Sequence, residues 1–393
     1  GDAGTARFSE PNGLLRLLNI RRVPIAWMAL ALFASVGILD TSVGYHRVRL
    51  EPPLVTSVER SNFSQPHSAA SLDDIAKLVS DSDMDGWTPL FVVASSGGGA
   101  RSAFWTSLVL NCLFTDTLQV IGGETADPCP ADSLAWDSVA MASGISGGSV
   151  GLAMFWALQH KGDGDAKALP SSKIFDDGFV DPVIARLLFT DLPNSLFRFN
   201  GPGHDRASIL EEAWEGKADG MDEDMFGSGV LPDGTPRLPV LLMNSASIRD
   251  GCRVNVSVVG LAPHRLDEDD RDREGLTSCR APDVPVAPDL PADTALRRPL
   301  ASTRDIQDFV CENQQMNLST AALLSARFPI VSPTGALQEC PPVSNEGGQT
   351  ESKSESKPDF VFLGDGGYVD SSAASPLVEL LPQLVDLTES HQP

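Results

Sequence analysis

Positive charge and histidine are scarce in this chain. Lys and Arg number 29 against 53 Asp and Glu, the formal charge is −24, and only six residues are His. Nucleic acid, itself a polyanion, is repelled by a surface of that sign, so it is excluded as a main partner. The same deficit excludes general electrostatic attachment to anionic lipid. Much of the acid lies in hydrophilic runs such as Asp267-Glu268-Asp269-Asp270, which read as solvated loops. The C-x-x-C spacing of a zinc site is missing, so neither a metal nor a cofactor is expected. The Gly-Lys-Ser/Thr of a phosphate-binding P-loop is also missing, which disfavours a nucleotide. No internal repeat is visible.

What is present begins with an apolar run. Arg21 and Arg22 precede residues 23–39, and Asp40 closes them. That length is near the lower limit for crossing a bilayer, and it predicts an N-terminal hydrophobic helix acting as a membrane anchor. A cleavable signal or a buried core helix are the other readings. Arg16, Arg21 and Arg22 lie before the run, and Arg47 and Arg49 after it. The bias points to a catalytic region on the extracytoplasmic, periplasmic side, with the cytoplasmic side as the alternative. Residues 1–45 then form the anchor segment, 46–87 a linker and 88–393 the main domain.

The six cysteines are Cys112, Cys129, Cys252, Cys279, Cys311 and Cys340. In an exported domain, sequential pairing is the simplest arrangement: Cys112–Cys129, Cys252–Cys279 and Cys311–Cys340, each closing a polar or Pro-rich loop. Reduced, buried thiols are the competing reading.

Short apolar runs predict buried strands at 90–94, 138–142, 238–243, 254–259 and 359–363. Helical stretches are expected at 72–79, 103–113, 150–159, 319–327 and 376–387, the last kinked or broken at Pro382. Strands alternating with helices indicate an α/β chain with a mostly parallel central sheet covered on both faces. Segments near 261–300 and 344–358 read as loop inserts.

Three glycine-rich loops follow predicted strands, where sites of α/β sheets collect. Ser96-Gly97-Gly98-Gly99-Ala100-Arg101 leads from a strand into a helix. Its amides can form a concavity for an anion, either a phosphate or a developing oxyanion. Gly144-Ile145-Ser146-Gly147-Gly148 is a G-x-S-x-G pattern at a strand-to-helix elbow, which makes Ser146 a candidate nucleophile. Gly364-Asp365-Gly366-Gly367-Tyr368 places a carboxylate at a third strand end. Each loop has a plainer reading: a flexible turn, an N-cap serine and an Asx turn.

A serine hydroxyl needs a base. The histidines are His46, His67, His160, His204, His264 and His391. His204 is the one plausible rival, but an α/β-hydrolase places its histidine after the acid. His160, at a helix end, reads as solvated. A Ser146–Asp365 dyad therefore fits better than a triad. A free Asp titrates near ~3.9, so the site must desolvate this one or hold it against the serine.

These motifs, in this order, resemble the patatin-like phospholipase family, which shares a Ser–Asp dyad with cytosolic phospholipase A. The resemblance covers about residues 88–385. Residues 318–329, Leu-Ser-Thr-Ala-Ala-Leu-Leu-Ser-Ala-Arg-Phe-Pro, and Asp365-Gly366-Gly367-Tyr368 fit its bacterial, membrane-associated branch. Patatin itself has Asp at the position of Ser96, whereas the cytosolic phospholipases have Ser. The resemblance implies a three-layer α/β/α fold. It also implies that Ser146 attacks an ester carbonyl and that Asp365 takes the proton and later activates water. Gly97, Gly98 and Gly99 would supply the oxyanion amides. Arg101 would organise their loop, meet a lipid phosphate, or be a plain surface arginine. The expected substrate is a phospholipid or another acyl ester, without calcium. A soluble-ester carboxylesterase or thioesterase and a silent lipid-binding scaffold are the alternatives.

Overall fold

The computed structural model describes residues 47–51, 69–80, 90–115, 135–161, 180–191, 205–249, 251–261, 303–328, 331–338 and 360–391. The candidate anchor at 23–39, His204, nearly all of the 261–300 insert and the whole 344–358 insert lie outside these residues.

The strands are β1 (Phe91–Ser95), β2 (Val139–Ile145), β3 (Val240–Ser247), β4 (Arg253–Val256), β5 (Thr303–Asp305), β6 (Gly335–Gln338) and β7 (Phe360–Asp365). The helices are α1 (Leu72–Ser80), α2 (Gly99–Phe114), α3 (Gly147–Lys161), α4 (Val180–Arg186), α5 (Arg206–Glu215), α6 (Met225–Ser228), α7 (Leu318–Ser325) and α8 (Ser375–His391). A π-helical turn, Leu187–Asp191, continues α4.

The chain is a mixed α/β protein. One seven-stranded sheet runs β1-β2-β3-β4-β5, with β7 pairing β3 and β6 pairing β7. Along the five-strand path the pairing is parallel everywhere except between β3 and β4. The mostly parallel sheet expected from the alternating pattern is therefore present on that path. β6 and β7 add antiparallel pairings.

β2 reads Val-Ala-Met-Ala-Ser-Gly-Ile, and every residue of it is buried. A strand without polar alternation is covered on both faces. The helix after it, α3, is buried from Val150 through Ala157. Phe155 packs edge-on against Trp136, with ring centroids 5.0 Å apart, and Phe114 of α2 lies edge-on to Trp136 and tilted to Phe155. The nucleophile candidate thus sits between a fully buried strand and a helix buried along its first turns.

Three expectations change. The final helix continues through Pro382 and does not break there. Proline removes the amide that would donate to the Val378 carbonyl, and one residue on, the Gln383 side chain donates to the Glu379 carbonyl at 3.1 Å. His160, expected to be solvated, stacks on Trp156 with centroids 4.0 Å apart and is half-buried. Its ring nitrogens lie 2.8 Å from Trp156 O and 3.3 Å from Leu238 O, and burial lowers its pKa. Helix α5, strand β5 and strand β6 are elements that the hydropathy pattern did not predict.

Cys112, Cys252 and Cys311 are each disulfide-bonded. Cys129, Cys279 and Cys340, and so the expected pairing, lie outside the described residues. Among the described residues no helix is long and apolar enough to cross a membrane.

Candidate active site

Strand register brings the second and third loops together. On one edge of β3, Ile145 of β2 lies opposite Asn244. On the other edge β4 pairs with residues 243–246, so Asp365 of β7, opposite Ser245, must share the edge used by β2. β2 runs parallel to β3 and β7 antiparallel, so their carboxyl ends meet head to head. Ile145 and Asp365 are one residue step apart along β3, a rise of about 3.3 Å. A Cβ added at Gly366 would fall 3.5 Å from Ile145 Cγ2 and only 2.0 Å from Asn244 O. Only glycine permits that approach. Ser146 and Asp365 therefore stand at one junction although 219 positions separate them in sequence.

Ser146 has φ of +54°. A non-glycine residue in the left-handed region is costly, on the order of 1–3 kcal/mol, and persists where its surroundings enforce it. Gly147 provides that enforcement: a Cβ there would sit 1.9 Å from the Gly99 carbonyl oxygen. The first loop is therefore pressed directly onto the elbow, and a Cβ at Gly97 would be 3.5 Å from Ser146 Cβ. All three sequence loops share one site.

Two residues that sequence reading did not assign hold this junction. The Ser146 amide donates to Ser325 O at 3.2 Å and to Ser325 Oγ at 3.1 Å. The Asp365 amide donates to Arg327 O at 2.9 Å. Ser325 Oγ donates to Asn244 O at 2.6 Å, so Ser149 Oγ, 2.8 Å away, must donate to it in turn. Asn244 Nδ2 reaches Ser143 Oγ and Gly144 O at 2.9 and 3.1 Å, bracing the strand below the elbow. Ser325 and Arg327 lie in the 318–329 stretch noted above. Asn244 carries no signal beyond being polar at the end of an apolar run.

Ser146 is 9% exposed and Asp365 is 5% exposed. One carboxylate oxygen of Asp365 accepts from the Gly367 amide at 2.8 Å. Tyr368 lies close enough for burial and the Asp365 charge to raise its hydroxyl pKa.

In the first loop, the Gly97 amide donates to Ser371 O at 3.0 Å. It ties the loop to the segment after Asp365 and is turned away from an oxyanion role. Gly98 and Gly99 are the N-cap and first residue of α2, positions whose amides have no intrahelical acceptor. The positive end of the helix reinforces them. Arg101 is exposed on the first turn of α2 and has no carboxylate partner among the described residues.

Neither described histidine belongs to this site. His160 lies at the far end of α3, about 20 Å along the helix from the elbow. His391 pairs with Asp73 of α1 at 2.7 Å. Among the described residues no group of His, Cys, Asp and Glu is arranged to hold a metal ion.

Exposed apolar side chains flank the junction: Ile248, Phe328, Tyr368 and Val369. A Cβ at Gly364 would touch both Ile248 and Tyr368, so these two are neighbours.

Comparison with protein-family models, with curated proteins and with solved structures finds no match for the chain.

Proposed function

We propose that this chain is a serine hydrolase of the patatin-like type, an acyl hydrolase cleaving carboxylic esters of phospholipids or other acyl lipids. One observation carries the reading. β2 and β7 abut on one edge of β3, which puts Ser146 and Asp365 at a common junction beneath a glycine loop.

The chemistry follows from the groups present. Ser146 Oγ attacks the ester carbonyl carbon while Asp365 accepts the hydroxyl proton. The carbonyl oxygen becomes an oxyanion, stabilised by the amides of Gly98 and Gly99. Collapse expels the alcohol, which takes the proton from Asp365, and leaves acyl-Ser146. Asp365 then deprotonates water, which releases the fatty acid and regenerates the serine. Asp365 is buried at the junction, and the Gly367 amide holds one of its carboxylate oxygens at 2.8 Å.

The apolar rim of Ile248, Phe328, Tyr368 and Val369 favours an acyl chain over a small soluble ester. The three-layer patatin fold and the N-terminal anchor at 23–39 belong to the same proposal. Disulfide-bonded Cys112, Cys252 and Cys311 support an extracytoplasmic location, where such bonds persist.

The test is release of fatty acid from phosphatidylcholine vesicles, compared with hydrolysis of p-nitrophenyl butyrate. Wild type should act on both and prefer the vesicles, and Ser146→Ala and Asp365→Asn should act on neither. Turnover of the small ester alone would replace the lipid reading with a carboxylesterase.

A further inference from the structure

Residues 325 and 327, two apart in the chain, receive the backbone amides of both dyad residues. Ser325 takes that of Ser146, and Arg327 that of Asp365. The turn after α7 thus forms a bracket that spaces nucleophile from base. Something must fix the bracket, because it leaves the helix with Phe328 already exposed.

The fixed point is the Arg327 side chain, which is 1% exposed. Its Nη1 donates to Pro333 O at 3.0 Å. Its Nη2 faces Glu211 of α5 at 3.9 Å, and Glu211 is also 1% exposed. The other Glu211 oxygen lies 3.6 Å from Arg49 Nη1. Neither oxygen has a hydrogen-bond partner among the described residues. Such a carboxylate is held by charge alone, between one guanidinium of the bracket and one of the segment 47–51. Burying an acid without hydrogen bonds is costly, and a fold keeps one where its charge has a task.

We propose that Glu211 is a positioning residue: its charge anchors Arg327, and through the Ser325–Arg327 bracket it sets the spacing of Ser146 and Asp365. The inference rests on the hydrolase reading of those two residues and deepens it. No contact between Glu211 and substrate is involved. Charge on Glu211 keeps the Arg327 guanidinium in place. Protonation leaves that guanidinium with the Pro333 carbonyl and a neutral carboxyl, so the bracket loosens. The groups that face Glu211 are Arg327 from the end of α7, Arg49 from the 47–51 segment, Asp205 at the N-cap of α5 and Glu215 one turn on. Burial outweighs the two arginines and raises its pKa to about 7, with Asp205 and Glu215 pushing the same way. The loss should therefore occur as pH falls through about 7.

The experiment uses the full chain, with p-nitrophenyl butyrate for kcat and KM and a fluorophosphonate for the labelling rate, across the pH range. Wild-type kcat should fall on the acid side with an inflection near 7, at constant KM. Glu211→Gln should lose about tenfold in kcat at alkaline pH, keep KM and show no inflection there. Glu211→Asp should restore the inflection in part. Ser325→Ala acts on the other end of the bracket and should lose a comparable factor without moving the inflection.

A Glu211→Gln enzyme with wild-type kcat and an unmoved pH profile overturns the proposal. If that variant does not fold, wild-type kcat in Ser325→Ala overturns it instead. Absence of labelling and turnover in wild type sinks the hydrolase reading and the bracket together. Labelling of wild type with no effect of Glu211→Gln sinks the bracket alone.

Discussion

The two halves of the candidate dyad are held by unlike means. Ser146 is wedged: a left-handed φ, the Gly147–Gly99 contact and two acceptors on Ser325 fix it between a buried strand and a buried helix. Asp365 is hung: its strand end, one amide bond to Arg327 O and the Gly367 amide position it, and the next residues, Tyr368 and Val369, are exposed. The nucleophile needs a single strained geometry. The base must hold its carboxylate near Ser146 and later admit water. A rigid half and a more lightly tethered half suit those two tasks.

Predictions that break or sharpen this contrast can be ranked. The largest effect is expected for Ser146→Ala, a loss of about 10^4-fold or more in ester turnover with the melting temperature unchanged. Next comes Asp365→Asn, which removes the base and should cost about 10^2 to 10^4-fold in kcat, read by steady-state kinetics. Equal tolerance of both substitutions would remove the dyad.

Gly147→Ala and Gly366→Ala follow. Each Cβ would fall within 2.0 Å of a carbonyl oxygen, so each should lower stability by about 1–3 kcal/mol in denaturant unfolding. The contrast sharpens in their activities. At Gly147 the wedge cannot yield and kcat should collapse. At Gly366 the exposed residues that follow can shift, so more activity should survive. The reverse order would show that the base side is the rigid one.

The smallest effect concerns the far end of the helix that carries the elbow. Burial holds the His160 pKa below its ordinary value, so the folded state resists a proton that the unfolded state accepts. The stability this contributes is present above the unfolded pKa and is lost as pH falls from there through the lower folded pKa. Melting from neutral to mildly acidic pH should therefore drop more steeply in wild type than in His160→Gln.

How much was legible in the sequence follows from the same physics. Strands β1, β2, β3 and β7 are apolar runs whose existence could be read directly, as could the glycine loops at the ends of β1, β2 and β7. Helix α5 could not. Arg206, Ser208 and Glu211 are buried on it beside Ala207, Leu210 and Trp214, so polar residues occupy its inner face and blur the helical period. Its N-cap Asp205, which accepts from Ala207 and Ser208 amides at 2.9 and 3.3 Å, was the one local clue. Strands β5 and β6 are three and four residues long and carry too little pattern. The bracket was hidden for another reason. Arg327 holds the Asp365 amide through its main-chain carbonyl, which any residue has, and Ser325 adds to its carbonyl only a hydroxyl that reads as one more polar residue in a helical run. The Gly97 amide likewise reads as an oxyanion donor by pattern, and only the bond to Ser371 O shows that it is spent elsewhere.

The central claim is that Ser146 is a nucleophile activated by Asp365 at the meeting point of β2 and β7. It is tested most directly by mapping a fluorophosphonate adduct by mass spectrometry in wild type, Ser146→Ala and Asp365→Asn. A single adduct on Ser146 in wild type, none in Ser146→Ala and a strongly slowed adduct in Asp365→Asn is the predicted result. An adduct on another residue, or one that forms on Ser146 at the same rate without Asp365, would contradict it.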